Sequence, residues 1–253
     1  MKKCKIDWFY GMIPFPSENS GRSSVTSRSP SIRFRTGSMV SRTAVFPAAW
    51  LFLVLWLLQP AVGSPALTEA GNAPSEAEQV VDTLHGALLA AMQEGARLGF
   101  KGRYEALEPV IRSTFDLPLV ARITVGRYWD DFTDGQKTAM VERFSKLSVS
   151  TYASRFDNFS GESFKLVSEK PLKEGQVLVK STLKKSNGET VRLDYVLLHA
   201  DGHWRIINVI ADGVSDISLK RGQYTSIIRR KGFDALIVKI NEKIEGYENG
   251  QSD

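Results

Sequence analysis

The chain has 253 residues, a formal net charge of +5, a single cysteine and 42% apolar residues, a size that allows one or two domains with a genuine core. The charge is not spread evenly: up to Gly63 eight basic residues stand against two acidic ones, whereas the rest carries 25 basic against 26 acidic, a net of −1. A body that is nearly neutral lacks the charge footprint of a nucleic-acid binder, so nucleic acid is not an expected partner.

The uneven charge has a local cause. In SRTAVFPAAWLFLVLWLLQPAVGSPA, Arg42 supplies a positive start, Ala44 to Leu58 an apolar stretch, and Pro60 precedes the small-x-small pattern Ala61-Val62-Gly63. This is the layout of a signal peptide cut after Gly63. A retained anchor is the rival reading. It is disfavoured because the run falls short of the roughly 20 residues needed to span a bilayer and no basic cluster follows it. Residues 1–63 are therefore read as leader and signal peptide, with Met39 standing where a conventional signal would begin. Cys4 belongs to the leader, so disulfides, thiol catalysis and an N-terminal lipid anchor are excluded for the rest. Localisation in the periplasm is the corresponding expectation.

Residues 64–74 read as a flexible lead-in, 75–246 as one domain, and 247–253 as a disordered tail. Ser75-Glu76-Ala77-Glu78 is a capping box, and Val80, Val81, Leu84, Leu88 and Met92 follow at helical spacing. Tyr104, Leu107 and Ile111 mark a second, shorter helix interrupted by Pro109. Asp116 caps a third, with Pro118 in its first turn and Leu119, Val120 and Ile123 on one side. Thr133-Asp134-Gly135-Gln136 opens the longest helix, with the stripe Met140, Phe144, Leu147, Tyr152 and Phe156.

The period then changes to two. Phe164 and Leu166, then Val177, Val179, Ser181 and Leu183, then Val191, Leu193, Tyr195 and Leu197 form successive inward sets. Glu174-Gly175, Asn187-Gly188 and Asp201-Gly202 are the turns between strands. The fourth strand is unusual. Trp204, Ile206 and Ile210 alternate with Ile207, Val209 and Ala211, so both of its faces look dry. Two helices close the chain, one over about 217–230 stopping at Gly232 and one from Asp234 carrying Leu236, Ile237, Ile240 and Ile244. The fold class is α+β: a four-strand antiparallel meander packed by N-terminal and C-terminal helices.

Chemistry is sparse. His199 and His203 flank a hairpin but have no third metal ligand at suitable spacing, and read as solvated turn residues. His85 lies on the first helix. Asp130-Asp131 face different ways on any regular element, and Asp212-Gly213 reads as the end of a strand. No nucleophile elbow, phosphate loop or dinucleotide fingerprint is present, so no catalytic residue, metal or organic cofactor is assigned. Lys220, Arg221, Arg229, Arg230 and Lys231 surround one helix. They are either a solvated face or a docking patch for anionic headgroups or an acidic partner. What remains is a large supply of apolar side chains, which can fill a core or line an apolar pocket between sheet and helices. Each methylene removed from water contributes about 0.8 kcal/mol, so a chain of ~15 carbons gains about 12 kcal/mol before entropic losses.

Three segments, read together, favour the pocket. FDLPLVARITVGRYWDDFTDGQKTAMVERFSKLSVSTYASRF, WRIINVIADGVS and YTSIIRRKGFDALIVKINEKI resemble, in order, the central helices, last strand and C-terminal helices of the MlaC, or toluene-tolerance, family. The resemblance implies a periplasmic carrier of phospholipid or hopanoid between inner and outer membranes. Its implied partners are an inner-membrane transport complex and an outer-membrane acceptor, with transient membrane contact. It also implies that the doubly dry strand gives one face to helices and the other to a lipid-lined interior. GVSDISLKRGQY departs from the usual family run through Asp216, Ser218 and Lys220 and resembles the hopanoid-associated HpnM branch. The implied lipid-lining residues are Phe115, Leu119, Ile123, Tyr128, Trp129, Phe144, Leu147, Val177, Val179, Leu193, Tyr195, Leu197, Ile206 and Val209. An enzyme of a small hydrophobic substrate using His199 or Asp194, and a periplasmic scaffold with a filled core, are the alternatives.

Overall fold

The computed structural model describes residues 73–251; the leader and the expected cleavage after Gly63 lie outside them. Strands β1 (Ser163–Pro171), β2 (Gln176–Lys184), β3 (Thr190–Ala200), β4 (His203–Ala211) and β5 (Val214–Ser215) form one antiparallel sheet in sequential order. The alternation behind the second and third strands holds residue by residue: Val177, Val179, Ser181 and Leu183 are buried on β2, and Val191, Leu193, Tyr195 and Leu197 on β3. Ser181 is tolerated in that apolar row because its hydroxyl donates to the Leu193 carbonyl at 2.7 Å.

The fifth strand corrects the expectation of four. Asp212 and Gly213 both have positive φ, 47° and 88°, the backbone of a tight hairpin turn. The pair turns the chain back to add β5, where a simple strand end was expected.

The doubly dry fourth strand also has a different cause from the expected one. Pairing steps from Val196↔Asn208 to Leu197↔Ile206, leaving Ile207 as an extra residue. Such a bulge shifts the alternation by one. Ile206 and Ile207 are consequently both buried, and Val209 and Ala211 continue on the buried side. Arg205 is exposed, and Asn208 and Ile210 are half-buried. The two apolar sets are thus largely one set seen through a register change, and the inference of two dry faces falls.

Among the described residues, five helices cover the inner face. Helix α1 (Glu76–Gln93) starts at the Ser75/Glu78 capping box and buries Val81, Leu84, His85, Leu88 and Met92. Helix α2 (Gly95–Thr114) bends at Gly99 and runs through Pro109 without ending. Pro109 and Glu105 are both exposed, so the carbonyl that loses its helical partner sits on a solvent-facing side. Helix α3 (Leu117–Val125) is capped by Asp116 and buries Leu117, Val120, Ala121, Thr124 and Val125. Its buried face is therefore rotated from the expected one, and Leu119 and Ile123 are only half-buried. After a 3-10 turn (Gly126–Trp129), α4 (Asp134–Arg155) starts at the Thr133/Gln136 capping box and buries Met140, Phe144, Leu147, Val149 and Ala153.

Helix α5 (Asp216–Glu248) merges the two expected C-terminal helices across a non-helical Gly232, φ 83°, a conformation that glycine alone adopts cheaply. It also continues past the expected boundary at 246 and buries Tyr247, so residues 247 and 248 belong to the domain and not to a tail. None of these helices is long and apolar enough to cross a membrane, among the described residues.

Two links fix the helices, one against the sheet and one against each other. The backbone N–H of Asp116 donates to the Ile206 carbonyl at 3.0 Å, tying the α2–α3 corner to the bulge. Arg103, buried, donates to the carbonyls of Ala153 and Gly95, both at 2.8 Å. That cation therefore clamps the end of α4 onto the start of α2 and has its hydrogen bonds supplied in place of water.

Candidate functional site

Where α2, α3 and α4 meet β3, β4 and the start of α5, the side chains leave a cavity of about 60 Å³. Its apolar wall comes from Ile111, Phe115, Leu117 and Val120 on the first side, Phe144, Tyr152 and Phe156 on the second, and Leu193, Tyr195, Ile207 and Val209 from the sheet. Aromatic rings run along this wall and behind it. Phe115 lies 5.8 Å from Tyr152, Tyr152 stacks on Phe156 at 5.9 Å, and Phe156 lies 6.3 Å from Phe164. Phe164 in turn stacks on His85 at 4.1 Å. His85 Nε2 is 3.1 Å from the Tyr195 hydroxyl, so the helix residue behind the wall holds a wall residue in place. Burial keeps His85 largely neutral, its pKa lowered from 6.5 to about 4. Burial also raises the pKa of Tyr195 and that of Tyr152.

One edge is polar. Ser148, Thr151 and Arg155 from α4 and Asp216, Ile217 and Lys220 from α5 complete the lining, with Asn208 of β4. Lys220 donates to both carboxylate oxygens of Asp216, at 2.5 and 2.6 Å. Desolvation lowers the Lys220 pKa, and Asp216 opposes that shift. Helix α5 is set in position by Asn208, whose Oδ1 accepts from the Ser215 hydroxyl at 3.2 Å and from the Ile217 backbone N–H at 3.4 Å. A second void of about 30 Å³ between α4 and α5 shares Thr151 and Lys220 with the first, so these two side chains form the partition.

Of the expected lining residues, Phe115, Phe144, Leu193, Tyr195 and Val209 reach the cavity. Leu147 borders the smaller void. Val177, Val179, Leu197 and Ile206 are packed core. Leu119 and Ile123 sit half-buried on α3, Trp129 is half-buried and packs near Phe132, and Tyr128 borders a surface groove. Alternation identifies the inward side of a strand, but that side both packs against helices and faces the void, and period alone cannot divide it. Four of the wall residues that were missed did carry a signal: Ser148, Thr151, Tyr152 and Arg155 share one helical face with the expected Phe144, at offsets of four, seven, eight and eleven from it.

The expected docking cations separate as well. Lys220 is buried in its ion pair and cannot serve as a surface cation, whereas Arg221, Arg229, Arg230 and Lys231 are exposed. The residues of the rival enzyme reading do not meet at the cavity. His199 packs 5.0 Å from Trp204 at a strand end, and Asp194 pairs across to Ile210.

The volume sets a condition. About 60 Å³ accommodates a few waters at most, and sites for organic ligands measure about 300–1,000 Å³. A hydrocarbon tail enters only if helices move apart from the sheet or from each other.

Residues 82–242 match the family model described as MlaC protein. The intermembrane phospholipid transport system binding protein MlaC of Haemophilus influenzae is 23% identical over 122 residues, covering 47% of this chain and 57% of that protein. This match thus spans little more than half the length of that relative. The toluene tolerance protein ttg2D of Pseudomonas putida is 22% identical over 72% of this chain and 83% of its own. A solved structure of a phospholipid-binding protein from Ralstonia solanacearum, in complex with a phospholipid, superposes with a TM-score of 0.62 at 22% identity, covering 69% of this chain and 99% of that one.

Proposed function

The chain belongs to the MlaC family, and from that premise we propose that it is a periplasmic lipid carrier, exported by its leader, that moves a phospholipid between the inner and outer membranes. The observation that carries this reading is the apolar, aromatic-walled cavity between sheet and helices, bounded on one edge by charged side chains. An amphiphile needs both: a water-free surface for its tail and a polar margin for its head. Transfer follows relative affinities at the two membranes and docking on an inner-membrane transport complex and an outer-membrane acceptor. The loaded form is wider than 60 Å³, and tail burial supplies the free energy that keeps the helices apart, at about 0.8 kcal/mol per methylene.

A hopanoid cargo is the second reading, favoured by one observation. Of Asp216, Ser218 and Lys220, read from the sequence as the departures of residues 213–224 from the usual family run, Asp216 and Lys220 line the cavity. The difference in sequence therefore falls on the wall that would meet the ligand.

The test is to purify the protein without detergent and analyse it by native mass spectrometry and organic extraction. A co-purifying phospholipid or hopanoid supports the carrier and identifies its cargo. A lipid-free protein that also fails to move labelled lipid between liposomes refutes it.

A further inference from the structure

Beside the cavity, and sharing no residue with it, lies a surface groove of about 400 Å³ lined by Arg127, Tyr128, Arg221, Thr225, Ser226 and Arg229, with Gly222. Its form follows from spacing. Arg221, Thr225 and Arg229 stand one and two turns apart on α5, so two arginines rise at the ends of a floor of small residues. The opposite wall is the 3-10 turn, where the Arg127 guanidinium lies 5.3 Å from the Tyr128 ring centroid. The three arginines are exposed. Among the described residues none of them makes an ion pair, and no carboxylate lines the groove. Asp131 acts on Arg127 but stands outside the lining. Arg230 and Lys231, also exposed, extend the positive field along the same helix.

We propose that this groove docks the protein onto the phosphate groups of an anionic bilayer surface. Guanidinium forks suit phosphate oxygens, and several cations held together near a membrane add their attractions. Half-buried Tyr128 and Trp129 supply aromatic side chains of the kind that settle at headgroup depth. The choice of a bilayer as occupant rests on the carrier reading, which brings the protein to two membranes. The groove itself does not depend on that reading.

The test measures partition of the purified protein onto vesicles of neutral phosphatidylcholine and onto vesicles one-third phosphatidylglycerol. Arg127→Ala, Arg221→Ala and Arg229→Ala are made singly and together. The control triple Lys165→Ala, Lys170→Ala and Lys173→Ala makes the same charge change at exposed positions on the β1–β2 hairpin. Binding is expected to favour the anionic vesicles, to fall about fivefold per groove arginine and about a hundredfold for the triple, and to fade with added salt. The control triple is expected to bind nearly as the parent does. Lipid extracted from the groove triple should be unchanged, because the cavity wall is intact.

Equal partition onto both vesicle types overturns the proposal, as does equal loss in the two triples. A parent that binds no protein-free anionic vesicle overturns it too, and leaves the groove to an acidic protein partner. A protein that carries no lipid yet binds anionic vesicles through these arginines sinks the carrier reading and leaves the docking surface standing. Should the triple fail to fold, Arg229→Ala, at an exposed position, carries the same comparison with a single lysine control.

Discussion

Histidine 85 gives the stability of this fold a defined pH dependence. Its side chain is 2% exposed, stacked on Phe164 and within hydrogen-bond distance of the Tyr195 hydroxyl. Burial lowers its pKa from 6.5 to about 4. As pH falls, the unfolded chain takes up this proton through pH 6.5 while the folded chain resists until about pH 4. Within that window the unfolded state binds more protons, so stability declines with falling pH, by up to about 1.4 kcal/mol per unit. The full window is worth about 3 kcal/mol, all of it present above pH 6.5 and lost by about pH 4. Urea unfolding followed by tryptophan fluorescence at a series of pH values measures this directly. His85→Phe, combined with Tyr195→Phe so that no buried hydroxyl is stranded, should flatten the decline by about that amount relative to the parent. Other groups titrate alike in both proteins and cancel in the difference. Equal declines in parent and double variant would refute the assignment.

Three further outcomes follow from the same geometry. Ser150 is fully buried on α4 and, among the described residues, its hydroxyl has no hydrogen-bond partner; Ser150→Ala should therefore raise unfolding stability by about 1 kcal/mol. Thr151→Trp, at the partition between the two voids, should fold and lose lipid load. Val179→Trp, in packed core, should lose about 1–3 kcal/mol or fail to fold, and thermal melts with lipid extraction separate the two. Lys220→Met should destabilise by about 2–3 kcal/mol because it takes the paired cation away from the Asp216 carboxylate in a largely buried site. Adding Asp216→Asn should recover most of that, as a double-mutant cycle in urea would reveal.

The sequence alone determined the elements and most of their limits, because those depend on neighbours in the chain. Ser75/Glu78 and Thr133/Gln136 close their capping boxes within a single turn, and Val177 through Leu183 alternate whatever lies above them. The family was legible for the same reason, through three ordered runs of residues. Tertiary structure decided where packing stops. The β4 bulge turned two apparent dry faces into one. The roll of α3 brought Leu117 and Val120 to the cavity in place of Leu119 and Ile123, and the placement of α5 buried Lys220 beside its same-helix partner Asp216 while leaving Arg221 and Arg229 at the surface. Periodicity records which way a side chain points relative to its own backbone. Whether another atom meets it there depends on the tilt and spacing of elements far apart in the chain, and neither quantity has a local signature.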